Sequence, residues 1–288
     1  LDFYDIKSVA KSDQKSKNKK TDENYKKLLA TLIAFLDDFY EHPTLYFTHT
    51  DLSQQRALDT LQFAFIGYGY TFDEAIDVIN EADTSNWSAE QLERKRVLEG
   101  LVDNLIYFAV AEEHQVLMEM QKDKSESESY GEFKELAMKT FEKYNKTYAR
   151  VEDAAILFAL GAAKKWNSYK NEDIIQYTTQ RDERVRESHA ILDGIRYRKS
   201  QFPEALVPPI DWGCRCYLIN TGSTDGRTLT NKPNMEQIIK DNSNSAFKYN
   251  VGVSGQMFSE EHPYFNVKTE FLDTLRLTAT KIKRRILG

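Results

Sequence analysis

Cysteine and proline are scarce in this 288-residue chain, with two and six residues respectively. Both cysteines fall within Cys214-Arg215-Cys216, and a C-x-C pair bridges poorly. The sequence therefore has no disulfide framework of the kind that staples small secreted domains, and a reducing compartment is expected. No run of eighteen apolar residues occurs, so neither a transmembrane helix nor a membrane partner is predicted. The amino-terminal stretch is polar and lysine-rich, which predicts no signal peptide, and the first residue is Leu, as in a fragment or processed chain. Also missing are a P-loop, a G-x-G-x-x-G after a strand, H-E-x-x-H and G-x-S-x-G. The usual nucleotide-binding, zinc-protease and serine-hydrolase chemistries thus have no sequence basis here.

What is present is ordinary globular material with an uneven charge distribution. A 41% hydrophobic and 29% charged composition supports a sizeable core. The formal net charge of −6 argues against a wholly basic nucleic-acid binder. Positive charge nevertheless gathers near both ends, in residues 7–20 and at Lys281–Arg285.

Periodicity predicts helix over most of the first half. Residues 1–22 read as a flexible basic arm, followed by a helical region over residues 23–121. Within it, Tyr25, Leu28, Leu29, Leu32, Leu36 and Phe39 recur at helical spacing until Pro43 intervenes. Thr71 with Glu74 and Ser88 with Gln91 have the form of capping boxes. On the long helix that Ser88 opens, Glu112-Glu113-His114 is expected on the solvated face. Residues 122–131 have the composition of a linker. A compact α+β module with a small sheet is expected over residues 132–288, ending in a basic helix. Its helices are predicted over residues 133–148, 151–166 and 269–286, and its strands at Ile174–Thr178, Cys216–Ile219, Phe247–Val251 and Tyr264–Val267.

The chemistry-bearing side chains concentrate in Thr178–Cys216. Asp182, Arg184, Arg186, His189 and Asp193 lie close in sequence, so Arg184 or Arg186 can form a forked ion pair with Asp182 or Asp193. A structural polar network is one reading. A metal site is another: His189, Cys214 and Cys216 supply three donors suited to zinc, with Asp193 or His262 as the fourth. Zinc is the one cofactor these residues suggest. A catalytic Cys–His pair is a third reading, but no oxyanion-hole element accompanies it, and no catalytic residue is assigned.

The same residues carry a resemblance. Arg150-Val151-Glu152 opens an alanine-rich helix, and Asp182-x-Arg184-x-Arg186-x-x-His189 runs into Leu192-Asp193-Gly194. Pro208-Pro209 precedes Cys214-Arg215-Cys216, and Phe247-x-x-Asn250-x-Gly252 and His262-Pro263-Tyr264 follow. In order and spacing, residues from about 148 to 267 resemble the phage head morphogenesis domain of phage Mu F-like minor head proteins. Val151 departs from the threonine usual in that pattern. The resemblance implies that Arg150 and Glu152 join the polar network. It further implies a minor head protein of a tailed double-stranded DNA phage or prophage that acts by binding. Portal protein and other capsid or scaffold proteins would be its partners in procapsid assembly or genome packaging and delivery. Its place would be the virion, at the capsid interior or portal vertex, after assembly in the host cytoplasm. Lys281, Lys283, Arg284 and Arg285, with the basic arm, then become candidates for contacts to DNA phosphates. The alternative is an enzyme or toxin-related module acting on a nucleotide or nucleic acid.

Overall fold

The computed structural model describes residues 3–222, 230 and 234–288, with side chains described from residue 19 onward. Ten helices are found among them. They are α1 (Phe3–Glu41), α2 (Thr50–Tyr68), α3 (Phe72–Asn80), α4 (Ala89–Glu126), α5 (Tyr130–Glu142), α6 (Ala149–Ser168), α7 (Glu187–Ala190), α8 (Met235–Asn242), α9 (Val251–Ser254) and α10 (Thr269–Leu287). Three strands, β1 (Ile174–Thr178), β2 (Arg196–Arg198) and β3 (Tyr217–Asn220), form an antiparallel sheet in the order β2-β1-β3. The fold is α+β, with a helical amino-terminal region and a small sheet, as the pattern predicted. No described helix is long and apolar enough to cross a membrane.

The expected boundaries differ in detail from the structure. The helix α1 begins at Phe3, within the stretch expected as an arm. Thr21 and Asp22 are engaged there: Thr21 donates to Asp153, and Asp22 accepts from Arg150. The side chains before residue 19 lie outside the described residues. The linker also contracts, because α4 continues to Glu126 and α5 starts at Tyr130, where Ser129 caps it by accepting from Glu132 N–H at 3.2 Å. Both capping boxes are present, with Thr71 and Glu74 bonded reciprocally and Ser88 paired likewise with Gln91.

The chain forms two compact units. The first takes the chain up to Gln62, Leu105–Ala154 and Tyr264–Gly288; the second takes Phe63–Asn104 and Ala155–Pro263. In the first, Leu28, Leu32, Leu36 and Phe39 of α1 pack with Val116, Leu117 and Met120 of α4 and Phe133, Ala137 and Phe141 of α5. Phe39 stacks on Phe133 with ring centroids 5.9 Å apart. Each fully buried side chain of this kind stabilises by roughly 1.5–3 kcal/mol.

Beside this apolar core lies a buried ionic one. Arg56 of α2 is 2% exposed and uses three of its nitrogens on three carboxylates. Nε donates to Glu112 at 2.7 Å, Nη1 to Asp153 at 2.8 Å and Nη2 to Glu152 at 2.8 Å. Tyr264 donates to the other oxygen of Glu152 at 2.8 Å, and Thr21 to Asp153 at 2.7 Å. Glu113 is also fully buried, and the π-helical turn Lys143–Tyr148 brings Asn145 beside it. Glu112, Glu113 and His114 are therefore not a solvated face. Around these positions α4 is enclosed on nearly all sides, so charge on it does not mark exposure.

In the second unit β1 is buried at every position and forms the middle of the sheet. Trp166, Ile175, Tyr177, Leu192, Phe202, Leu206, Ile210 and Leu218 make its core. Two expected strands are absent. Asn250 caps α9 by accepting from Gly252 N–H, which turns Phe247–Val251 away from extended backbone. Pro263 starts a 3₁₀ turn where Tyr264–Val267 was expected to pair. Gly255 is required where α9 ends, since its φ is 69° and a Cβ would lie 2.4 Å from the Val97 carbonyl oxygen.

Burial lifts the carboxyls of Glu112, Glu113 and Asp59 to about 7, against the opposing pull of Arg56. Their folded values exceed the unfolded ones, so their contribution is complete below the ordinary carboxyl range and is lost as pH rises through 7. The first unit is therefore expected to be less stable at about pH 8 than at about pH 5, by on the order of a few kcal/mol. Hydrogen exchange of α4 amides against pH measures this, and Glu113→Gln should flatten the dependence. Arg56→Met leaves three buried carboxylates without their cation and should cost about 3–5 kcal/mol in urea unfolding.

Candidate metal centre

The centre is built from the end of β1, the turn after it, α7 and the loop entering β3. The turn is held by Asp193. Its Oδ1 accepts from Thr179 N–H at 2.7 Å and from the Thr179 hydroxyl at 3.2 Å, while Oδ2 accepts from Arg181 Nε at 3.0 Å. Gly194, at φ 82°, then donates its N–H to Tyr177 O, and Tyr177 N–H donates to Ile195 O, both at 2.9 Å. Leu192 is fully buried beneath. Leu-Asp-Gly is thus one core anchor, one turn clamp and one residue in the left-handed region.

The second half is placed by arginines. Asp182 accepts a fork from Arg215, at 2.9 and 2.7 Å, and the N–H of Arg184 at 3.2 Å. Arg186 donates to Asp211 and to the Trp212 carbonyl, each at 2.7 Å, which fixes the loop before Cys214. Gln180 donates to the Arg215 carbonyl at 2.9 Å. The pairing therefore differs from the expected one. Asp182 is held by Arg215 and Asp193 by Arg181, while Arg186 turns to Asp211 and the Arg184 side chain forms no ion pair among the described residues. Arg150 and Glu152 belong to the first unit, with Asp22 and Arg56 as their partners, and take no part in this network.

Alternation along Cys214-Arg215-Cys216 buries both thiols and leaves Arg215 half-buried. The donor atoms of His189, Cys214 and Cys216 all lie within 4.8 Å of one another, and all three residues are buried. His189 Nδ1 is 3.4 Å from Cys216 Sγ, while its buried Nε2 has no hydrogen-bond partner among the described residues. The Tyr177 hydroxyl sits beside both sulfurs, and burial pushes its titration far upward. Cys214 is the more readily ionised thiol: a hydrogen bond from Cys216 lowers it, burial opposes, and His189 lowers it again. Its partner Cys216 is correspondingly raised.

Of the two expected fourth ligands, neither joins the group. Asp193 is committed to Thr179 and Arg181, and His262 packs edge-on to Trp212 and against Phe258, with centroids 5.6 and 4.9 Å away. Burial lowers His262 to about 4. Sequence reasoning also passed over three residues of this site. Arg215, within Cys214-Arg215-Cys216, Gln180 and Tyr177 were given no role of their own. The Arg56 cluster was missed because a lone arginine on a helix gives no signal of burial.

Residues 111–219 match the family model described as phage Mu protein F like protein. An uncharacterized protein of Methanocaldococcus jannaschii is 40% identical over 81 residues, a span covering 28% of this chain and 11% of that protein. No solved structure matches.

Asp193→Ala removes the acceptor that closes the turn and should cost about 1–3 kcal/mol. Asp193→Asn keeps the Thr179 bonds, loses only the exposed Arg181 pair, and should cost under about 1 kcal/mol. Urea unfolding of the two variants checks the contrast. Over residues 111–219, then, this chain is similar to the family described as phage Mu protein F like protein.

Proposed function

We propose that this chain is a minor head protein of a tailed double-stranded DNA phage or prophage, associating with the portal and assisting procapsid assembly or genome packaging. The observation that carries this reading is the domain match over residues 111–219, which supports a phage head-related structural protein with other phage structural proteins as partners. The side-chain chemistry is consistent with a binding role. In the stretch richest in candidate catalytic groups, Asp182, Arg186 and Asp193 are engaged in holding loops. The helical region would then offer the portal or scaffold surface.

The basic end of α10 supports a local contact with DNA. Lys281 and Arg284 are exposed, whereas Arg285 is already engaged by Asp51 and Gln54. Removing Lys281 and Arg284 together should weaken DNA binding for all sequences alike and lower the salt slope by about two. Filter binding across a salt series measures it.

Co-expression with the portal protein of the same phage, followed by gradient sedimentation, tests the main reading. The chain is expected to migrate with portal assemblies. A folded chain that stays at the top of the gradient with portal, and is absent from procapsids, contradicts it.

A further inference from the structure

The only two cysteines of the chain and His189 line one cavity of about 180 Å³, together with Gln180, Arg184 and Arg186. We propose that His189, Cys214 and Cys216 bind one zinc ion, with its fourth vertex directed into this cavity and held by water. The proposal goes beyond the head-protein reading and does not depend on it.

Three observations carry it. First, the donor set is right: two thiolates and an imidazole are soft-to-borderline ligands, and two thiolates neutralise a divalent charge that the buried setting would otherwise penalise. Second, the geometry is close to that of an assembled site. Tetrahedral zinc with ordinary bond lengths separates nitrogen and sulfur donors by about 3.6 Å. His189 Nδ1 and Cys216 Sγ are 3.4 Å apart, and all three donors fall within 4.8 Å. Third, the three donors are rigidly presented: Cys214 N–H is bonded to the Asp211 carbonyl at 3.1 Å, His189 N–H to the Arg186 carbonyl at 3.0 Å, and Arg215 is clamped by Asp182. A set of ligands held this way needs little rearrangement on binding.

The stoichiometry of the step is simple. Zinc gains two sulfur bonds and one nitrogen bond, the two thiol protons pass to solvent, and no electron is transferred. Three protein ligands leave a vertex open, and every one of them faces the same cavity. Neither Asp193 nor His262 closes that vertex, because each is committed elsewhere.

The test uses the full chain, stripped with a chelator and titrated with cobalt(II), whose spectrum reports ligand type and geometry. Saturation at one ion per chain is expected, with intense thiolate-to-metal charge transfer, tetrahedral ligand-field bands and displacement of cobalt by zinc. Cys214→Ser, Cys216→Ser and His189→Ala should each weaken uptake at least about a hundredfold. Asp193→Asn and His262→Phe should bind as the unaltered chain does. A folded chain with no saturable uptake, a spectrum without sulfur charge transfer, or uptake that survives all three ligand substitutions overturns the proposal. Should a ligand variant fail to fold, protection of both thiols from alkylation by added zinc in the unaltered chain decides: protection supports the site, and equal labelling contradicts it.

Discussion

One buried guanidinium organises the first unit. Arg56 comes from α2, its carboxylates from α4 and α6, and further donors to those carboxylates from α1 and the turn at Tyr264. Removing a cation and several carboxylates from water is expensive, and the arrangement survives because each Arg56 nitrogen used has a charged acceptor at hydrogen-bond distance. Burial raises Glu112 and Glu113 to about 7 and raises Glu152 as well, so each takes up a proton more readily than an exposed carboxylate. Such a core specifies a single packing of the helices, since a shifted helix would strand a charge.

The second unit uses a different device at smaller scale. Its sheet has only three short strands, and much of the rest is loop. Asp193, Arg186 and the Arg215–Asp182 fork hold those loops where a larger sheet would have done so by ladder bonds. The consequence is that His189 and the C-x-C thiols are delivered to one cavity from segments that are distant in sequence. Charge in this stretch holds loops, and two thiols and an imidazole line the cavity between them.

Much of this was legible beforehand where periodicity and capping agree. Leu28, Leu32, Leu36 and Phe39 announced α1, and the Thr71–Glu74 box marked the start of α3. The convergence of His189 with Cys214 and Cys216 was readable from donor type, and their common cavity required the fold. Other features were hidden for physical reasons. Ion-pair choice depends on where loops lead, so Arg215 was overlooked in favour of Arg184 and Arg186 as the partner of Asp182. Strand β2, Arg-Tyr-Arg, has one apolar residue and no alternation to detect. Phe247 and Tyr264 are apolar anchors on turns, and short apolar runs next to Asn or Pro imitate strands. Glu112 and Glu113 were placed at the surface by charge alone, which cannot reveal a cation waiting on another helix.

A crystal of the zinc-loaded chain, measured on both sides of the zinc absorption edge, tests most directly the claim that this polar stretch exists to present a metal site. The account predicts one anomalous peak per chain, within bonding distance of His189 Nδ1, Cys214 Sγ and Cys216 Sγ, on the side of the cavity. A well-ordered centre with no peak there, or zinc held by other residues, would contradict it.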